Sequence, residues 1–215
     1  MRAFARLVPL LLLGAAACAS HELAEGEGAG LVTASREAPA GAETSPRPEL
    51  RVGDRFVYRR GTLQRVAMRV TEAGADGYVL QEEETGLRLR FTPELYEKGQ
   101  DAEGLPEVTR VLAPYDARYA WPLWVGKQWT VQYLYKAPGK PGLPFLAHYV
   151  CDAMETVQVK AGTFRCHRIW RRHRPAVEGS YVELATVYWY APEVGMWVRR
   201  LDAGVVTELE EFVRQ

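Results

Sequence analysis

The stretch whose reading decides the fold is "HYVCDAMETVQVKAGTFRCHRIWRRHR", His148 to Arg174. Apolar and polar residues alternate through Val157 and Val159, and again through Phe164 and Cys166. A period of two is the mark of a strand with one buried face. Between the two runs lies the turn signal "KAGT". The stretch therefore reads as one long β-hairpin. With Ala161–Gly162 as the turn residues, Val159 faces Phe164, Val157 faces Cys166 and Cys151 faces Arg172. Cross-strand partners share a face. This register puts Cys151 and Cys166 on the same side of the sheet, roughly 20 Å apart along the hairpin at ~3.4 Å per residue. A disulfide needs Cα atoms within about 7 Å, so the register opposes a bond between them. An oxidising compartment favours one, and the pair Cys151–Cys166 stays a candidate disulfide.

The same geometry takes apart what looks like a chemical cluster. Cys166 and His167 are neighbours in sequence and so point to opposite faces of a strand. His148 and His173 share a face in this register, but two histidines with no third ligand make a poor metal site, and no metal is expected. A catalytic cysteine needs a base and an orienting group; nothing nearby supplies them, and no nucleophile-elbow, zinc-protease or phosphate-loop motif occurs. No catalytic residue and no cofactor are expected. Arg165, Arg168, Arg171, Arg172 and Arg174 divide between the two faces. The reading favoured is a solvated surface paired with Glu82–Glu84 or with Glu208, Glu210 and Glu211. Its sharper alternative is an anion-binding patch.

Outward from the hairpin the same pattern repeats. "DRFVYRR", "LQRVAMRVTE", "GYVLQEE", "GLRLRFT", "QWTVQYLY", "YVELATVYWY", "GMWVRRL" and "VVTELEEFV" are short runs rich in Val, Tyr, Trp, Phe and Thr. Together with the hairpin they predict about ten strands. "TPELYEKGQ", Thr92–Gln100, predicts one short helix with Thr92 as its cap and Pro93 at its first position. The fold class is all-β: an antiparallel meander that curls into a half-barrel, barrel or sandwich to protect its edges. "ELRVGDRF" (Glu49–Phe56) echoes "PLWVGKQW" (Pro122–Trp129), and "PEVGMW" (Pro192–Trp197) partly echoes both. Each reads as a glycine turn feeding an aromatic-led strand; the bolder reading is a duplicated half-domain. Trp121, Trp124, Trp129, Trp170, Trp189 and Trp197 either fill the core or line a ligand groove in a half-barrel.

The chain begins "MRAFARLVPLLLLGAAAC". A basic start, an apolar run from Leu7 to Ala17 and small residues before Cys18 form a secretion signal. That run is 11 residues, short of the ~20 that span a bilayer. "AAAC" resembles a bacterial lipobox with Cys18 as the lipidated residue. Ala19, by resemblance to Gram-negative sorting rules, implies the outer membrane, with the protein facing the periplasm. Residues 1–17 are thus the signal peptide, 18–47 the lipidated cysteine and a disordered tether rich in Ala, Gly, Glu and Pro, and 48–215 a single periplasmic β domain. Hydrophobic residues at 47% allow a real core, and a formal net charge of +0 argues against a generic nucleic-acid binder. The expected partners are the membrane, through the anchor, and an envelope protein or lipid; the sequence leaves the oligomeric state open.

"VQVKAGTFRC" (Val157–Cys166) together with "YWYAPEVGMWVRR" (Tyr188–Arg200) resembles a loose group of uncharacterised β-rich bacterial envelope lipoproteins. The matching positions are Val157, Val159, Ala161, Gly162, Thr163, Phe164 and Cys166, then Tyr190, Pro192, Val194, Gly195 and Val198. The resemblance implies an architecture and an envelope address. It carries no chemistry. The expected function is a non-enzymatic binding or envelope-assembly module. The alternatives are a carrier of an acyl chain or lipoprotein in a tryptophan-lined groove, and an enzyme with an unrecognised site.

Overall fold

A computed structural model describes residues 30–33, 37–180 and 182–215. The strands are β1 (Gly30–Thr33), β2 (Arg55–Arg60), β3 (Gln64–Gly74), β4 (Gly77–Glu82), β5 (Arg88–Phe91), β6 (Glu97–Asp101), β7 (Arg110–Asp116), β8 (Gln128–Lys136), β9 (Leu143–Val159), β10 (Gly162–Pro175), β11 (Leu184–Ala191), β12 (Met196–Asp202) and β13 (Val205–Val213). β2 to β13 pair antiparallel in chain order; β13 also pairs with β2, so the twelve close into a barrel. Closure removes the exposed edges that a meander of this length would otherwise carry.

All ten runs named from alternation are strands. The three others lack a clean alternation of their own and are defined by their partners. β7 contains Pro114, and proline cannot donate to a ladder. Its pairing with β8 accordingly stops at Ala113, opposite Leu134. β1 takes the vacated edge, with Leu31 opposite Val131 and Thr33 opposite Trp129. The tether reading of 18–47 is therefore corrected in part: β1 is paired, and Ser45 is buried and bridges Leu123. Cys18 lies outside the described residues. β6 replaces the expected helix at Thr92–Gln100. Thr92 does act as a cap, its Oγ1 accepting from the N–H groups of Glu94 and Tyr96 at 3.2 Å. The chain then turns through Leu95 at φ 63 and leaves as a strand. Gly99 fixes that strand against β7: a Cβ there would lie 2.0 Å from the Arg110 carbonyl oxygen.

The long hairpin is present, with two corrections to its register. The turn is Lys160–Ala161, so Gly162 opposes Val159, Phe164 opposes Val157 and Cys166 opposes Glu155. Farther along, Arg168 opposes Ala153 but Ile169 opposes Cys151. Asp152 is the extra residue of a β-bulge. A one-residue slip exchanges the two faces of a strand. Cys151 now shares a face with His167, Ile169 and Arg171. Both thiols are free and buried; the candidate disulfide is not formed, because Cys151 opposes Ile169, three residues along β10 from Cys166, beyond disulfide reach.

Antiparallel order gives the barrel two unlike ends. One end gathers the starts of β2, β8 and β12 and is sealed by the segments that lead into them. Leu50, Leu123, Trp124 and Val194 are buried there. The echoed glycines Gly53, Gly126 and Gly195 all turn at this end, with φ of 97, 99 and 76. Two of these turns dock alike: Gly53 N–H donates to Val70 O at 2.9 Å and Gly126 N–H to Cys151 O at 2.7 Å. The echo marks the same turn used at the start of each six-strand half. The other end, reached by the β8–β9, β10–β11 and β12–β13 connections, is open.

Candidate functional site at the open end of the barrel

A cleft of about 410 Å³ runs into the barrel from the open end. Alternation along β7 to β12 sends every second side chain inward. Three arginines, Arg118, Arg171 and Arg200, and three acids, Glu97, Asp116 and Asp202, line it together with Tyr133, Tyr135, Phe145, His173 and Tyr188. Glu97 and Asp116 are cross-strand partners of β6 and β7, which is why two carboxylates sit side by side on the floor. Like charges so placed repel unless each has its own cation. Each does: Arg118 pairs with Glu97, and Arg171 pairs with Asp116 at 2.7 Å, their side chains 11% and 4% exposed.

All three guanidinium nitrogens of Arg171 donate. Its Nε donates to Tyr149 Oη at 2.8 Å, Nη2 to Tyr133 Oη at 2.8 Å, and Nη1 to His173 Nδ1 at 2.7 Å. Tyr149 in turn donates to Asp116 Oδ1 at 2.5 Å. Burial pushes the Tyr149 phenol well above its ordinary value, so it stays a donor. Burial, helped by the neighbouring guanidinium, lowers His173 to about 4; the neutral imidazole can accept the Arg171 proton. Trp129 lies behind Tyr149, its ring stacked at 5.1 Å and 3°. A buried charge pair held by this many hydrogen bonds is rigid and costly to disturb.

The sequence reading missed this site because it placed Arg171 on a solvated β surface. Arg171 instead faces inward. Its neighbours pair elsewhere: Arg165 with Glu43 at 2.6 Å and Arg168 with Asp152 at 2.9 Å. Their partners are thus other than the acidic clusters at Glu82–Glu84 and Glu208–Glu211. The two histidines also separate: His173 lines the cleft, while His148 lies on the outer face beside Trp170 and Arg172.

The six tryptophans do not share a groove, and none lines the cleft. Trp124, Trp129 and Trp197 are buried, Trp197 stacking on Tyr58 at 4.0 Å. Trp121 packs on Tyr119 and Tyr190 near the sealed end. Trp189 donates to Glu155 on the outer face, and Trp170 is 36% exposed. The groove expectation is corrected: alternation in a closed barrel divides these rings between inside and outside.

A second cluster lies nearer the sealed end. Cys151 Sγ is 3.5 Å from His167 Nδ1, and His167 Nε2 is 2.7 Å from Ser45 Oγ. The order resembles a nucleophile with a base and an orienting group, but the charges are wrong for it. Burial raises Cys151 to about 12 and lowers His167 to about 4. Thiol and imidazole are both neutral and enclosed, so the cluster ties Ser45 to the barrel wall. Lys127, beside it, donates to Pro122 O at 2.8 Å, and burial lowers it to about 8.

The DUF3108-like family matches residues 150–201. The matched span runs through β9 to β12. It carries Arg171, Tyr188 and Arg200 as well as both motifs of the lipoprotein resemblance. No curated protein matches the chain. Among solved structures, the chain is similar to the hypothetical lipoprotein YmcC from Escherichia coli (K12), at 11% identity and a TM-score of 0.49, over 78% of this chain and 89% of that one. It is also similar to a candidate lipoprotein of Parabacteroides distasonis ATCC 8503, at 13% identity and a TM-score of 0.46, over 80% of this chain and 100% of that one. A protein of Bacteroides fragilis NCTC 9343 with a YmcC-like fold matches at 13% identity and a TM-score of 0.38, over 79% of this chain and 100% of that one.

Proposed function

We propose that the chain is a lipid-anchored binding protein of the bacterial envelope, non-enzymatic, that takes a small ligand through the open end of its barrel. The anchor is Cys18, the membrane is the outer one, and the barrel faces the periplasm; the signal grammar of residues 1–18 supports this part. The observation that carries the binding part is the charged floor of the cleft. A barrel that needed only stability would fill its interior with apolar side chains, since replacing a buried ion pair by such residues is often neutral or stabilising. Here six charged side chains and several rings surround about 410 Å³, within the range of about 300–1,000 Å³ typical of small-molecule sites. A carrier of long acyl chains or lipoproteins is less well supported, because six charged side chains line the cleft.

Native mass spectrometry of the full chain, gently extracted from membranes, tests the reading. The expected result is a co-purifying molecule that an Arg200→Gln variant loses while it still folds. Only acylated chain, with no small molecule bound under any gentle extraction, would contradict it. For the anchor, Cys18→Ala is expected to release the chain from the membrane fraction; full retention would sink that part.

A further inference from the structure

Within the cleft the three arginines are not equivalent. Arg171 engages Nε, Nη1 and Nη2. Arg118 meets Glu97 through Nη2 alone, and its Nε is buried without a hydrogen-bond partner. Arg200 reaches only to 4.0 Å from Asp202 Oδ2, and its Nε is likewise buried and unpartnered. Both guanidinium planes are held by rings, Arg118 over Tyr188 at 5.0 Å and Arg200 over Trp197 at 5.4 Å. Stacking fixes the planes and leaves their edges as donors. Buried donors without partners are rare and ask for an explanation.

The acceptors in the cleft are mostly used. Asp116 is bound by Arg171 and Tyr149, Glu97 by Arg118, and Asp202 accepts from Thr186 at 3.2 Å. The surplus is of donors. The surrounding wall is apolar: Leu112, Leu143, Phe145 and Leu184. We propose, on the binding reading above, that the ligand is an amphipathic acid. Its carboxylate is held by Arg118 and Arg200, and its short apolar body lies against Leu143, Phe145 and Leu184. The cleft's three arginines already face three carboxylates, so every added negative charge works against the balance and a monoanion is favoured over a dianion.

Isothermal titration of the full chain in detergent micelles with hexanoate, 1-hexanol and hexylammonium tests this. Hexanoate is expected to bind at least tenfold tighter than either of the others. Arg200→Gln, at the more exposed of the two arginines, is expected to weaken hexanoate at least tenfold; Arg118→Gln is expected to do the same where it folds. Equal binding of the alcohol, preference for the cation, or undiminished hexanoate binding by Arg200→Gln overturns the acid assignment. A bound non-acid in native mass spectrometry also overturns it, yet leaves the binding reading standing. Absence of any ligand in both experiments overturns both.

Discussion

The sealed and open ends of the barrel treat buried charge differently. At the sealed end Asp54 is fully buried. It accepts from the N–H groups of Arg51 at 2.9 Å and Gln215 at 2.8 Å, and pairs with Arg214 at 3.0 Å. Arg214 also donates to Val194 O at 2.6 Å. Here the charges join the C-terminus to the start of β2; Arg214 Nε meets Asp54 as an ion pair and, like the Nε of Arg118 and Arg200, makes no hydrogen bond. At the open end Asp116 and Arg171 are just as well matched, yet Arg118 and Arg200 beside them keep free edges. What separates the ends is the space: Arg118 and Arg200 line the cleft of about 410 Å³, and Arg214 does not.

The largest effect is expected from breaking the sealed end. Asp54→Ala strands Arg214 and two backbone donors, and is expected to lower stability by about 3–5 kcal/mol, read from the midpoint of urea unfolding. Asp116→Ala leaves Arg171 uncompensated and is expected to cost about 3 kcal/mol in the same assay. A loss below about 1 kcal/mol would mean that Arg171 is already solvated in the cleft.

Acid sharpens the comparison at the wall between the ends. His167 is fully buried and its folded value is about 4, below an unfolded value of about 6.5. The unfolded chain therefore binds the proton first. Stability is full above pH 6.5 and falls as pH drops toward 4, by about 3 kcal/mol from this group. His167→Gln is expected to flatten that part of the pH–stability curve. An unchanged slope would show that His167 is solvated. The smallest effect is expected at the mouth. Arg200→Gln, whose carboxylate partner is 4.0 Å away, is expected to change stability by less than about 1 kcal/mol while weakening hexanoate.

Much of the fold could be read from alternation, because a closed antiparallel barrel buries one face of nearly every strand. What stayed hidden was set by contacts distant in sequence. β7 carries a proline and β6 lacks alternation, so each is recognisable only from its partner. Thr92 gave a true capping signal, but a cap serves a turn as well as a helix, and Leu95 decided between them. The bulge at Asp152 has no local signature, and it reversed the faces of Cys151 and the histidines. The site shared that fate. Arg171 is one arginine among five in the hairpin, and only the register shows which of them points at Asp116.

The most direct test follows the arginine Nε–H resonances of the full chain as hexanoate is added. The account requires the Arg118 and Arg200 signals to move together and saturate, while Arg214 stays in place. Movement of Arg214 with the other two unchanged, or no movement of any of the three, would contradict it.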